Sequence, residues 1–339
     1  MNNIAKDIPI LVTGGTGFIG AYLLQYLCNQ GYTAITALKR PNSPLDLVEH
    51  LDSIRWIDGD LLDIPLLEDL MHEAKWVFHC AAIVSFRPQE AKEMIRTNVE
   101  GTANIVNTAL YGGINKLVHL SSIATLGRIR EGETLRESNK WQRSRYNTTY
   151  AISKFQAEQE VWRGIAEGLN AAIVNPSTVL GSGFPGRGTS GFFELAAKGF
   201  PYYGAGTTGW VDVRDVARFM LLLMESQQAE ERYVLNAENL SYKEVLTLMA
   251  QEFGQQPPRI KITPLLRELA WRGAWLQSKL SGKKPFITKE TARMAGRTFY
   301  YDAQKSIDAF NFEYTPIHQC IRETCACLLQ NQKPKLLDF

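Results

Sequence analysis

At 339 residues the chain is long enough for about two domains, or for one large domain with an elaborated end. Its composition, 45% hydrophobic and 21% charged, suits a globular protein with a sizeable core, and a net charge of +2 excludes nucleic-acid or membrane-surface binding by bulk electrostatics. The five cysteines, Cys28, Cys80, Cys320, Cys325 and Cys327, form no CxxC and no zinc-spaced cluster with histidine, which points to reduced thiols and no metal site.

The N-terminus "MNNIAKDIPILVTGG" runs straight into a strand and a glycine loop, with no basic and apolar leader pattern. The longest apolar runs, such as "FMLLLM" at 219–224, fall far short of the ~20 residues that span a bilayer. A cytoplasmic protein without an integral membrane segment is expected. Short Val/Ile/Leu-rich runs at 9–15, 32–40, 54–60, 76–82, 116–122 and 170–179 read as strands, separated by helical patterns at 18–29, 64–74, 89–111 and 149–168. Strands apolar on both faces and alternating with helices predict an α/β fold, a doubly wound parallel sheet of Rossmann type. After 180 a Gly-rich loop, "GSGFPGRGTSG", opens a more aromatic region. The expected organisation is a nucleotide-binding domain over 1–180, rejoined by 210–239. A smaller, mostly helical substrate region is expected over 181–209 and 240–339, with Pro257 and Pro258 marking a turn.

"VTGGTGFIG" follows the first strand and opens the first helix, the context a dinucleotide loop needs. Gly14, Gly15, Thr16, Gly17, Phe18, Ile19 and Gly20 are therefore candidate cofactor contacts, with a pyrophosphate at the helix N-terminus. An NAD site usually places an acid at the end of the second strand; here "TALKRPNS" offers Lys39 and Arg40 instead, which suit a 2′-phosphate. NADP(H) is favoured, with NAD(H) left open. In "DGDLLD" Asp60, with the backbone of Leu61, is a candidate adenine contact, and a helix N-cap is the competing reading for Asp60. "HCAA" ends the fourth strand with small residues, Ala81 and Ala82, as a cofactor lying across the strand ends requires; His79 reads as packing rather than reacting.

Two Tyr-x-x-x-Lys pairs occur, Tyr150/Lys154 and Tyr301/Lys305, so the spacing decides nothing by itself. Tyr150 and Lys154 share a helix face after the strand ending "VHLSSIATLG", which brings Ser121 and Ser122 to a C-terminal strand end. A tyrosine needs a shift of about three pH units to ionise near neutrality, and a lysine beside it favours phenolate. The second pair lacks that context, and "YDAQK" looks like the start of a surface helix.

With "TGGTGFIG", "GDLLD", "HCAA", "NVEGT", "SSIATLG", Tyr150-x-x-x-Lys154, "NPSTVLG" and "WVDVRDVA" in order, nearly the whole chain resembles the extended short-chain dehydrogenases/reductases, or NAD-dependent epimerase/dehydratase family. "LSSIATLG" and "LKRP" look closest to its dihydroflavonol reductase and 3β-hydroxysteroid dehydrogenase branch. The resemblance implies that Tyr150 is the general acid/base and that Lys154 holds the nicotinamide ribose. It also implies that Ser122 binds the substrate oxygen, with Ser121 as the alternative. Pro176 and Ser177 should lie against the nicotinamide, and Asn98 either supports the cofactor end or packs helices.

The leading expectation is an NADPH-dependent carbonyl reductase or alcohol dehydrogenase acting on a small hydrophobic ketone or aldehyde. The alternative is a nucleotide-sugar epimerase that retains NAD, and a non-catalytic NADP(H) sensor is a third reading. A 4,6-dehydratase fits poorly, because resemblance to that group implies active-site carboxylates directly after the serine or threonine, and here Ile123 and Ala124 follow Ser122. "LLRELAWRGAWLQSKL" (265–280) aligns Leu265, Leu269, Trp271, Trp275 and Leu276 as a substrate lid, a core helix or a membrane-surface face. Arg214 between Asp212 and Asp215 reads as a local ion network. A homodimer is compatible with all of this.

Overall fold

The computed structural model describes residues 4–330 and 335–339, apart from 187, 267, 269–270 and 274–288. In chain order its elements are β1 (Ile10–Thr13), α1 (Phe18–Asn29), β2 (Ile35–Lys39), β3 (Ile54–Asp58), α2 (Ile64–Glu73), β4 (Trp76–His79), α3 (Ala91–Ile95), α4 (Gly101–Gly112), β5 (Lys116–Leu120), β6 (Thr134–Leu135) and α5 (Thr149–Ala166). There follow β7 (Ala171–Pro176), β8 (Thr178–Leu180), α6 (Ser190–Ala197), β9 (Tyr202–Tyr203), β10 (Thr207–Asp212), α7 (Val213–Glu225), β11 (Arg232–Leu235), β12 (Glu238–Ser241) and α8 (Tyr242–Glu252). The last are β13 (Ile260–Lys261), α9 (Lys289–Met294), β14 (Tyr300–Tyr301), α10 (Gln304–Phe310) and α11 (Ile317–Gln330).

Seven parallel strands build the main sheet in the order β11-β7-β5-β4-β1-β2-β3. The order reverses between β1 and β4, which is where a doubly wound sheet opens a crevice for a ligand. Alternation along each strand splits the core. Ile10, Val12, Phe78, Val118 and Val174 pack with α1 and α7, whereas Leu11, Val77, Leu117 and Ile173 pack with α2 and α4. Both faces are covered, so the central strands β1, β4, β5 and β7 are buried along their whole length.

Local chemistry ends the helices where the sheet needs them. Asp63 caps α2 through Leu66 N, Thr148 caps α5 through Ala151 N, and Ser241 with Glu244 forms a capping box on α8. The helical pattern at 89–111 is interrupted by a π turn, Arg96–Glu100, between α3 and α4. The strand expected over 170–179 divides in two. β7 stays in the main sheet, while β8 pairs with β10, which pairs with β12, in a separate three-stranded sheet. Of 210–239, β11 joins the main sheet and β10 does not. Pro257 and Pro258 lie between α8 and β13. Residues 335–339 return to α1: Leu337 N donates to Tyr22 Oη at 2.9 Å, Tyr22 Oη donates to Ser182 O at 2.9 Å, and Phe339 packs 4.5 Å from the Tyr26 ring centre.

Arg214 does enter an ion network, with Asp212 and Glu323 both at 2.6 Å. None of the five cysteines forms a disulfide among the described residues. Of the helix expected over 265–280, Leu269, Trp275 and Leu276 lie outside the described residues. Among the described residues no helix is long and apolar enough to cross a membrane.

Candidate active site

The glycine loop bends between β1 and α1. Gly14 has φ of +74°, and a Cβ there would stand 2.5 Å from Ala81 N, so only glycine lets the loop lie on the end of β4. On the outer side a Cβ at Gly17 would meet only Gly14 O, leaving room for a phosphate to reach the backbone. Gly17 is also the N-cap of α1, with no side-chain cap and no acid in the first turn. That open, positive helix end fits a pyrophosphate. Thr16 is half-exposed at the turn, Ile19 packs on the core, and Phe18 lies edge-on to Tyr22. Ala82 is exposed beyond β4.

At the β2 end the two basic residues differ. Lys39 faces Asp58 across the β2–β3 register and forms an ion pair with it. Arg40 is exposed and has no ion-pair partner among the described residues. Asp60 is not the N-cap of α2, a place taken by Asp63; its Oδ1 accepts from Leu62 N at 3.0 Å. Leu61 is buried, and its carbonyl accepts from Asn104 Nδ2.

Tyr150 stands in the first turn of α5, half-buried and beside the Ser122 hydroxyl. Burial pushes its phenol above the ordinary value, opposed by the Ser122 hydroxyl and by the Arg128 charge. Lys154, one turn further, is buried at 3% exposure, and its Nζ donates to Leu120 O at 2.8 Å. Burial brings its pKa down to about 8, opposed by the Glu158 charge, so it is an ammonium at neutral pH. Ser122 caps a short 3-10 turn, Ile123–Leu126, through Ala124 N at 3.1 Å. The ring of Phe86, from the loop after β4, lies edge-on to Tyr150 at 5.6 Å.

Ser121 points the other way. Its hydroxyl donates to Glu158 Oε2 at 2.6 Å. Glu158 is fully buried and also binds Thr125 Oγ1 at 2.7 Å, Asn175 Nδ2 at 2.8 Å and Arg232 Nη1 at 2.9 Å. This satisfied carboxylate ties together the ends of β5, β7 and β11 behind the site. The sequence reading missed it, although its place four residues after Lys154 was the available signal. Arg128 and Phe86 were missed as well, and no motif marks them.

Asn98 sits in the π turn, with Oδ1 accepting from Ile83 N at 2.7 Å and Nδ2 donating to Ile83 O and Ser153 Oγ, both at 3.0 Å. It fastens α5 to the loop after β4. His79 is buried between Thr13 Oγ1 at 2.7 Å and Thr102 Oγ1 at 3.0 Å, and burial lowers its pKa to about 3, so it packs as a neutral ring. Pro176 ends β7, and the neighbouring Ser177 is buried with its Oγ lacking any partner among the described residues. A buried hydroxyl left unsatisfied at a strand end fits a polar ligand group placed against it.

Tyr301 and Lys305 form no comparable pair. The expected surface helix begins only at Gln304, and Tyr301 lies before it, buried in β14, which pairs with β6. Lys305 forms an ion pair with Glu231.

Known proteins resemble the chain over nearly its full length. A putative dihydroflavonol 4-reductase of Synechocystis sp. is 32% identical over 329 residues, covering 94% of each protein. Cinnamoyl-CoA reductase 1 of Petunia hybrida is 25% identical, covering 97% of this chain and 94% of its own. UDP-glucose 4-epimerase of Thermotoga maritima, solved with UDP-glucose, superposes with a TM-score of 0.77 over 95% of this chain and 99% of its own, and at 20% identity it shows the shared fold. The sequence profile of the NAD dependent epimerase/dehydratase family matches residues 10–236, and with the loop, sheet order and Tyr–Lys helix in place the chain belongs to that family.

Proposed function

We propose that the protein is an NADPH-dependent carbonyl reductase that acts through Tyr150, Ser122 and Lys154. The observation that carries this reading is the Tyr150 phenol, beside the Ser122 hydroxyl and held above its ordinary pKa by burial. Its resting state therefore holds the proton that reduction consumes. The loop at Gly14–Gly20 would hold the pyrophosphate, Lys154 the ribose next to the nicotinamide, and Pro176 with Ser177 the ring. Bound there, the reduced nicotinamide supplies a hydride to the carbonyl carbon.

The chain's own residues do the rest. Ser122 and Tyr150 together hold the carbonyl oxygen, and Tyr150 Oη gives it a proton as negative charge develops. The Lys154 ammonium steadies the phenolate left behind until solvent returns a proton. The relatives named as reductases support this direction over epimerisation. The preference for NADPH rests on Arg40, a guanidinium with no ion-pair partner at the end of β2, where a ribose-binding acid is absent; the nearby Asp58 is engaged with Lys39.

The test is to release and identify any nucleotide from the purified protein, then titrate NADP(H) and NAD(H) into wild type and Arg40→Ala. Loose NADPH, weakened about tenfold or more by Arg40→Ala while NADH is unchanged, is the expected result. Tightly held NAD would instead favour the epimerase reading.

A further inference from the structure

Arg128 follows Gly127, whose φ of +75° turns the chain away from the 3-10 segment that carries Ser122. Its Nε donates to Tyr301 Oη at 2.8 Å, and its Cζ lies 5.5 Å from the Phe299 ring centre. The side chain is half-buried, and its charge acts on both Tyr150 and Tyr242. No carboxylate among the described residues pairs with it. The acids next in sequence are engaged elsewhere, Glu131 with Arg297 and Glu133 with Arg130. The Nη1 and Nη2 groups have no hydrogen-bond partner among the described residues.

A guanidinium drawn partly out of water without a counter-ion is unfavourable unless something pairs with it. Its planar fork matches a carboxylate with two parallel hydrogen bonds. Tyr301 fixes the plane of the fork through Nε and leaves the two outer nitrogens free. We propose that Arg128 anchors a carboxylate of the substrate, so that the substrate is an oxo acid whose apolar body lies against the Phe86 ring beside Tyr150. This rests on Tyr150 and Ser122 holding the reacting carbonyl, and it adds a second, charged point of attachment.

Phenylglyoxylate and its methyl ester share a ring and a ketone and differ in charge. On protein saturated with oxidised nicotinamide nucleotide, NADP+ or NAD+ according to which binds, neither can be reduced, so calorimetry reads binding alone. We expect wild type to bind the acid at least tenfold more tightly than the ester, a preference that weakens with added salt. Arg128→Gln should abolish that preference, and Arg128→Lys, which keeps the charge but loses the fork, should keep part of it. Equal binding of acid and ester by wild type, no measurable binding of the acid, or an unchanged ratio in a folded Arg128→Gln would overturn the proposal. A merely structural Arg128 would lower the melting temperature and weaken both ligands alike. Failure of both nucleotides to bind in the preceding titration would instead overturn the reductase reading.

Discussion

The chain writes Tyr-x-x-x-Lys twice and uses it in two unrelated ways. Tyr150 and Lys154 occupy one face of α5, with the phenol beside Ser122 and the ammonium on a strand-end carbonyl. Tyr301 is a strand residue and Lys305 a helix residue, and the turn between them sends the side chains to different partners. Tyr301 meets Arg128, whereas Lys305 reaches Glu231 and the Arg232 carbonyl. A spacing of four is a statement about one face only when the backbone between the two residues is helical.

The contrast can be broken by mutation. Tyr150→Phe should lower kcat by ~10²–10⁴ while NADPH affinity, read by fluorescence titration, stays within a factor of two or so. Near-normal turnover would remove Tyr150 from the chemistry. Ser122→Ala, measured in the same steady-state assay, should cost ~10² in kcat as one donor to the oxygen is lost. Its neighbour provides a sharper comparison. Ser121→Ala should leave kcat close to wild type but lower the unfolding free energy in urea by ~1–3 kcal/mol, because Glu158 loses a buried donor. A catalytic defect without a stability loss would reverse the roles of the two serines.

The lysines separate by pH. Lys154 has a folded-state pKa of about 8, below its unfolded value, so between that pH and about 10.4 the unfolded chain binds the proton better. Over that window stability contributed by this group rises with pH. Urea unfolding of wild type and Lys154→Met should show wild type gaining on the variant from pH 8 to 10. The smallest effect is expected for Lys305→Met, which breaks a partly exposed ion pair and should cost at most ~1 kcal/mol with turnover unchanged.

Much of this architecture was legible in the sequence because it is local. The glycine loop and the short Val/Ile/Leu-rich strands alternating with helices are each written in a few consecutive residues, and they give the doubly wound parallel sheet. What was not legible depends on pairing across the chain. β8 leaves the main sheet although "NAAIVNPSTV" reads as one strand, because its partner is β10, some thirty residues away. Tyr301 is drawn into β14 by β6, against the helical look of "YDAQK". At the site, Tyr150 and Ser122 were named from their motifs, and the structure brings them together. Lys39 and Arg40 looked equivalent until the β2–β3 register gave Lys39 an acid of its own. Glu158 and Arg128 owe their significance to burial and to missing or present counter-charges, which no linear spacing encodes.

The return of residues 335–339 to α1 has a consequence for how the protein is made. The Leu337–Tyr22 hydrogen bond spans 315 positions, so it links α1 with a segment made much later. At translation rates of about 10 residues per second, the helix behind the glycine loop waits roughly half a minute for that clamp. Through that interval the aromatic face of Tyr22 and Tyr26 is uncovered by Phe339 on a nascent chain whose neighbouring strands can already pair. The helix behind the glycine loop therefore receives its final clamp only once residues 335–339 have been made.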